Sequence, residues 1–129
     1  MEDLIAQAIA IRARSYAPYS NFAVGAALRD EQGRVHLGVN VENAAYPQGQ
    51  CAEATAIGAM ITAGGTRITA IAIAGPGPEP CTPCGGCRQR LREFAGDDLP
   101  IIIADPDGEV ARFTLGTLLP ASFGPEHLD

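Results

Sequence analysis

A chain of 129 residues with 47% hydrophobic and 19% charged residues is globular rather than disordered, and it is long enough to bury a core without disulfide staples. Its length reads as one domain, residues 1–129. With aromatics at only 5% and no Trp, the core has to rest on Ala, Val, Ile and Leu. A net charge of −6 and a pI near 4.8 lack the positive footprint of a phosphate-backbone binder, so nucleic acid is excluded as the expected partner.

Residues 3–15 place Leu4, Ile5, Ala8, Ile9 and Ile11 at helical spacing, with Arg12 and Arg14 in the last turn. Tyr16-Ala17-Pro18-Tyr19-Ser20-Asn21 breaks that helix. Two β-branched runs, 22–28 and 35–41, are joined by Asp30-Glu31-Gln32-Gly33 and read as a hairpin. A loop with Pro47 and Gly49 leads to a small-residue helix over 52–63, closed by Gly64-Gly65. Residues 70–74 form a buried strand, 75–80 a Gly/Pro loop and 85–94 an Arg-rich helix. Residues 100–104 are a second buried strand, and Asp105-Pro106-Asp107-Gly108 turns tightly into an antiparallel partner over 110–115. The strand–helix–strand stretches 35–74 and 70–104 are expected to be crossovers between parallel neighbours. The fold class is therefore α/β: a five-stranded mixed sheet with helices on both faces.

The longest apolar stretches fall far short of the roughly 18–20 residues that span a bilayer. The chain begins Met1-Glu2-Asp3, acidic where a signal peptide is basic. A soluble, cytoplasmic protein with no membrane partner is expected. In that setting Cys51, Cys81, Cys84 and Cys87 read as metal ligands or catalytic thiols before disulfides.

Two pieces stand out, Cys51-Ala52-Glu53 and Pro83-Cys84-Gly85-Gly86-Cys87, and both lie where a loop enters a helix. A helix N-terminus offers free N–H groups and partial positive charge, which favour thiolates. Three thiolates gathered there make a tetrahedral zinc site with its fourth position open for water. The Glu53 carboxylate is placed to reach that water without ligating the metal, the arrangement of metal-assisted hydrolysis with a proton shuttle. Taken singly, Cys51 is an ordinary buried cysteine and Glu53 a solvated helix residue. The combination, in an αβα context, is what carries the reading.

With these motifs the chain resembles the small, homotetrameric, zinc-dependent cytidine deaminases from about Tyr16 to its end. The resemblance is carried by Tyr16-Ala17-Pro18-Tyr19-Ser20 with Phe22, by the run from Asn40 to Tyr46, by both metal pieces, by Cys87-Arg88-Gln89, and by Leu118-Leu119-Pro120 with Phe123. It implies a three-layer αβα fold and the hydrolysis of cytidine and deoxycytidine to uridine and deoxyuridine plus ammonia, in pyrimidine salvage. It also implies one Zn²⁺ per subunit on Cys51, Cys84 and Cys87, with Glu53 as proton shuttle. Phe22 would stack on the pyrimidine, the Ala52 backbone would meet the base, and Asn40 and Glu42 would hold the ribose 3′-hydroxyl. Tyr46 and Phe123 would lie at active sites shared between subunits of a homotetramer.

Two departures from the family pattern matter. Ala54 stands where many members carry an Arg that balances the thiolate charge, and Arg88 is the candidate replacement. Cys81 is extra and is expected to be a spare thiol. A deaminase of another aminopyrimidine nucleoside, such as a blasticidin-type antibiotic, fits nearly as well. A non-catalytic four-cysteine metal module, of iron–sulfur or structural-zinc type, is the alternative from another class, though it leaves Glu53, Asn40 and Glu42 unexplained.

Overall fold

In the computed structural model, which describes residues 1–128, the chain opens with helix α1 (Glu2–Ile11), with Glu2 and Asp3 at its positive end. Asp129, the last residue of the domain read from the sequence, lies outside the described residues. Arg12–Arg14 tighten into a 3₁₀ turn. Strands β1 (Gly25–Asp30) and β2 (Val35–Val39) form the expected hairpin, with Gly33 at a φ of 81° in its turn. Helix α2 (Ala52–Thr62) ends at Gly64, whose φ of 97° closes it as the sequence predicts. Strand β3 (Ile68–Ala74), helix α3 (Gly85–Phe94), strands β4 (Pro100–Asp105) and β5 (Gly108–Thr114), and the one-turn helix α4 (Leu115–Leu118) complete the order.

The sheet runs β2-β1-β3-β4-β5, with β3 and β4 parallel and every other pair antiparallel. Five mixed strands with helices on both faces match the expectation, but the neighbours of β2 do not. Residues 35–74 do not join parallel neighbours, because β1 lies between β2 and β3. Burial explains why. β1 is covered on both faces, whereas β2 alternates buried and half-buried residues, as an edge strand does. The first strand also starts at Gly25 rather than Phe22. Asn40 Oδ1 accepts the Val24 N–H at 2.9 Å and Nδ2 donates to the Phe22 carbonyl at 2.8 Å, so a side chain replaces the ladder there.

The two faces of the sheet differ in thickness. Ile71, Ile73, Ile101 and Ile103 pack with Ala52, Ala56, Met60 and Leu91 of α2 and α3. Ala70, Ala72, Ala74 and Ala104 turn the other way and let Leu4, Ile5 and Ala8 of α1 lie close. The period-2 alternation of Ile and Ala in β3 thus sorts a two-helix layer from a one-helix layer.

Helix α2 is held at both ends. Near its start, a Cβ on Gly38 would lie 2.4 Å from the Ala52 carbonyl oxygen and 2.4 Å from the Ala56 nitrogen, so β2 and α2 touch backbone to backbone. Near its end, Arg34 Nη1 donates to the Ala63 carbonyl at 2.9 Å. Arg34 Nε and His36 Nε2 meet the fully buried Asp30 carboxylate at 2.9 and 2.8 Å. Burial pushes that carboxyl's pKa up, but these partners and two backbone N–H groups hold it below the usual range. Gly38→Ala should cost about 1–3 kcal/mol by forcing α2 off the sheet. A urea midpoint unchanged from the parent's would show that the contact does not hold the helix.

Candidate metal centre and adjoining cavity

Both cysteine motifs lie at the carboxyl ends of strands, where open α/β sheets place their sites. Cys51 follows β2 and is the N-cap of α2, while Cys84 follows β3 and is the N-cap of α3. Each has extended backbone (ψ 156° and 167°), and neither uses its sulfur to cap its helix, so both sulfurs are free to face each other. Cys87 lies one turn into α3, fully buried, and the i, i+3 spacing brings its sulfur beside that of Cys84.

The Cys51 and Cys84 sulfurs are 3.8 Å apart, and all three lie within 4.8 Å of one another. Two thiolates on a tetrahedral zinc with bonds of about 2.3 Å stand about 3.8 Å apart. The donor set therefore fits Zn²⁺ in size as well as chemistry. Cys81 is not in the group, so among the described residues the four-sulfur arrangement does not form.

The thiols differ in readiness to ionise. Burial and then the Cys84 charge push Cys51 up, and burial followed by Glu53 pushes Cys87 up. Cys84 lies below its ordinary value, because hydrogen bonds from the Cys87 backbone and from the other two thiols outweigh the effect of burial. Cys81 is pushed to about 11, first by burial and then by Glu53, and stays a thiol. Glu53 is 5% exposed, and burial raises its carboxyl above the usual carboxylate range against the opposing pull of Arg90.

Cys51, Ala52, Glu53 and Cys84 line a cavity of about 370 Å³, walled by Phe22 and Asn40. Cys81, the thiol expected to be spare, lines it too without joining the sulfur group. Glu42 and Tyr46 line a second cavity of about 340 Å³ with Tyr19 and Ser20. Glu42 accepts the Tyr19 N–H at 2.9 Å and the Ser20 N–H at 3.2 Å, together with the Ser20 hydroxyl. Phe123 lines neither cavity. Its ring stacks on His127 at 4.8 Å, and its carbonyl accepts from Gln89 Nε2 at 2.9 Å.

Arg88 does not reach the sulfurs as expected. Its guanidinium donates to the Pro83 carbonyl at 2.7 Å and the Leu118 carbonyl at 2.9 Å, fixing the loop that carries Cys84. The guanidinium at the cluster belongs to Arg90, whose Nη1 lies 3.9 Å from Cys87 Sγ. The i, i+3 spacing from Cys87 was the available signal.

Residues 1–103 match the cytidine and deoxycytidylate deaminase zinc-binding region. The chain belongs to that deaminase family. A cytidine deaminase of Sporosarcina psychrophila is 38% identical over 128 residues, covering 99% of this chain and 94% of the relative. One from Mycobacterium tuberculosis is 43% identical over 116 residues, covering 90% and 84%. Among solved structures, a cytidine deaminase from Burkholderia pseudomallei superposes with a TM-score of 0.88 at 43% identity, covering 94% of this chain and 97% of that one. Zinc is the metal of the family's domain, and the three-sulfur cluster fits it.

Cys84→Ala and Cys87→Ala should each abolish zinc retention in atomic absorption of the purified protein. Cys81→Ser should leave zinc content within measurement error, and metal loss there would return Cys81 to the ligand set.

Proposed function

We propose that this protein hydrolyses the C4 amino group of cytidine and deoxycytidine, giving uridine or deoxyuridine and ammonia. One observation carries the reading: a zinc-sized cluster of three sulfurs opens into a cavity that also holds a buried carboxyl, Glu53. Zn²⁺ bound by Cys51, Cys84 and Cys87 supplies a Lewis acid that makes water a nucleophile at neutral pH. Glu53 would take one proton from that water and give it to N3 of the base, then take the second proton, from the hydroxyl added at C4, and hand it to the departing amino group, leaving the C4 carbonyl and ammonia. A carboxyl whose pKa burial has raised is suited to gain and lose that proton.

Phe22, Ala52 and Asn40 of this cavity, with Glu42 of the neighbouring one, bind and orient the substrate. Phe22 stacks on the pyrimidine and the Ala52 backbone meets its edge. The Asn40 amide oxygen accepts from the Val24 N–H and the Ser15 hydroxyl and one Nδ2 proton goes to the Phe22 carbonyl, so its second Nδ2 proton is what it has left for a ribose hydroxyl. Glu42 keeps spare lone pairs for the same hydroxyl, and its charge disfavours a phosphate at that position.

Tyr46 is 78% exposed and Phe123 56%, large rings that Tyr19 and His127 cover only in part within one chain. Their exposure supports a homotetramer in which they complete active sites across subunit boundaries. The one-domain chain is read as a cytoplasmic enzyme of pyrimidine salvage that binds neither nucleic acid nor membrane. The charge of −6 supports the first exclusion. Among the described residues no helix is long and apolar enough to cross a membrane.

Purified protein with cytidine should shift the ultraviolet spectrum to that of uridine. Glu53→Gln should keep zinc while slowing turnover by at least about 10²–10⁴-fold. Activity within tenfold of the parent would remove Glu53 from the shuttle role. A cytosine-containing oligonucleotide should not turn over at a comparable rate. Light scattering should give a tetramer mass, and a monomer mass for active enzyme would defeat the shared-site reading.

A further inference from the structure

Three thiolates around one Zn²⁺ leave a net negative charge, and Cys87 is the fully buried member of the set. Ala54 brings no cation, so the compensating charge has to come from elsewhere in the fold. Helix α3 carries three arginines, and two are committed. Arg88 serves the Pro83 and Leu118 carbonyls, and Arg92 serves Ser122 and Glu126. The third, Arg90, is held by no carboxylate among the described residues, and the acceptor its guanidinium meets there is Cys87 Sγ.

A Cβ on Gly86 would lie 3.1 Å from Arg90 Nη1, so the guanidinium folds back closely against the first turn of α3.

From this we infer that Arg90 is the positioning residue that balances the thiolate charge, donating to Cys87 Sγ and favouring the zinc-loaded, net-negative state of the cluster. The inference rests on the ligand reading above. A zinc-loaded cluster of three thiolates carries the net negative charge that the Arg90 guanidinium faces. Groups that hydrogen-bond metal ligands from outside usually change metal affinity by about 10–100-fold. Arg90 is exposed and its contact is long, so the low end of that range applies here.

The test compares zinc-loaded parent, Arg90→Met and Arg90→Lys by chelator competition at fixed pH, and then by thiolate-to-metal absorption after exchange of zinc for Co²⁺. Arg90→Met removes the charge at similar length and should raise the zinc dissociation constant about tenfold. It should also move the cobalt–thiolate band to lower energy, because a sulfur without its hydrogen bond donates more readily. Arg90→Lys keeps the charge and should recover most of the affinity. A change under threefold in Arg90→Met with an unmoved band overturns the inference, and so do equal losses in both variants, which would mark a packing role. Zinc retained by Cys87→Ala would overturn the ligand reading instead.

Discussion

Two helices of this protein have to begin at the same point in space. Cys51 and Cys84 are the N-caps of α2 and α3, and their sulfurs meet at 3.8 Å. Each helix start directs unpaired N–H groups and roughly half a positive charge toward the cluster, which favours the thiolate form of the cysteines there. The rest of the fold holds that meeting in place. Gly38 lets α2 lie on β2 with its backbone in contact, and Asp30 with Arg34 fastens the far end of the same helix. Arg88 ties the loop before α3 to the chain beyond β5.

The same convergence places Glu53. It falls in the first turn of α2, beyond Cys51, so a helix that aims its N-cap sulfur at the cluster also lodges this carboxyl in the wall of the cavity. At 5% exposure the carboxyl loses water, and its proton affinity rises. Metal ligand and proton carrier are thus positioned by a single helix start, and the spacing of Cys51, Ala52 and Glu53 encodes both at once.

Charge is handled separately from geometry. Helix α3 spends one arginine on each of three tasks: Arg88 on loop carbonyls, Arg92 on Glu126 and Ser122, and Arg90 on the Cys87 sulfur. Along the chain only the i, i+3 spacing from Cys87 to Arg90 hints at this division. Their sorting depends on which way each turn of α3 faces, toward the loop, the C-terminal segment or the cluster.

Much of this protein was legible without coordinates. The short apolar run 70–74 marked a buried strand, Gly64 marked a helix end, and the cysteine spacings with Glu53 pointed to the metal centre, because each is a local pattern with a local cause. Long-range placement was not local. That β1 lies between β2 and β3 follows from which strand buries both faces, a property of the assembled layers rather than of either run. The amide of Asn40 ends the β1 ladder only because β2 lies beside it, eighteen residues on from Phe22. Glu42 and Tyr46 fall in a neighbouring cavity, and Cys81 joins the main one without joining the sulfurs. Sequence determined which side chains could bind zinc and carry a proton, since that is set by their chemistry. Only the tertiary structure decided which arginine faces the thiolates, since a charge acts over a few ångströms of space whatever the distance along the chain.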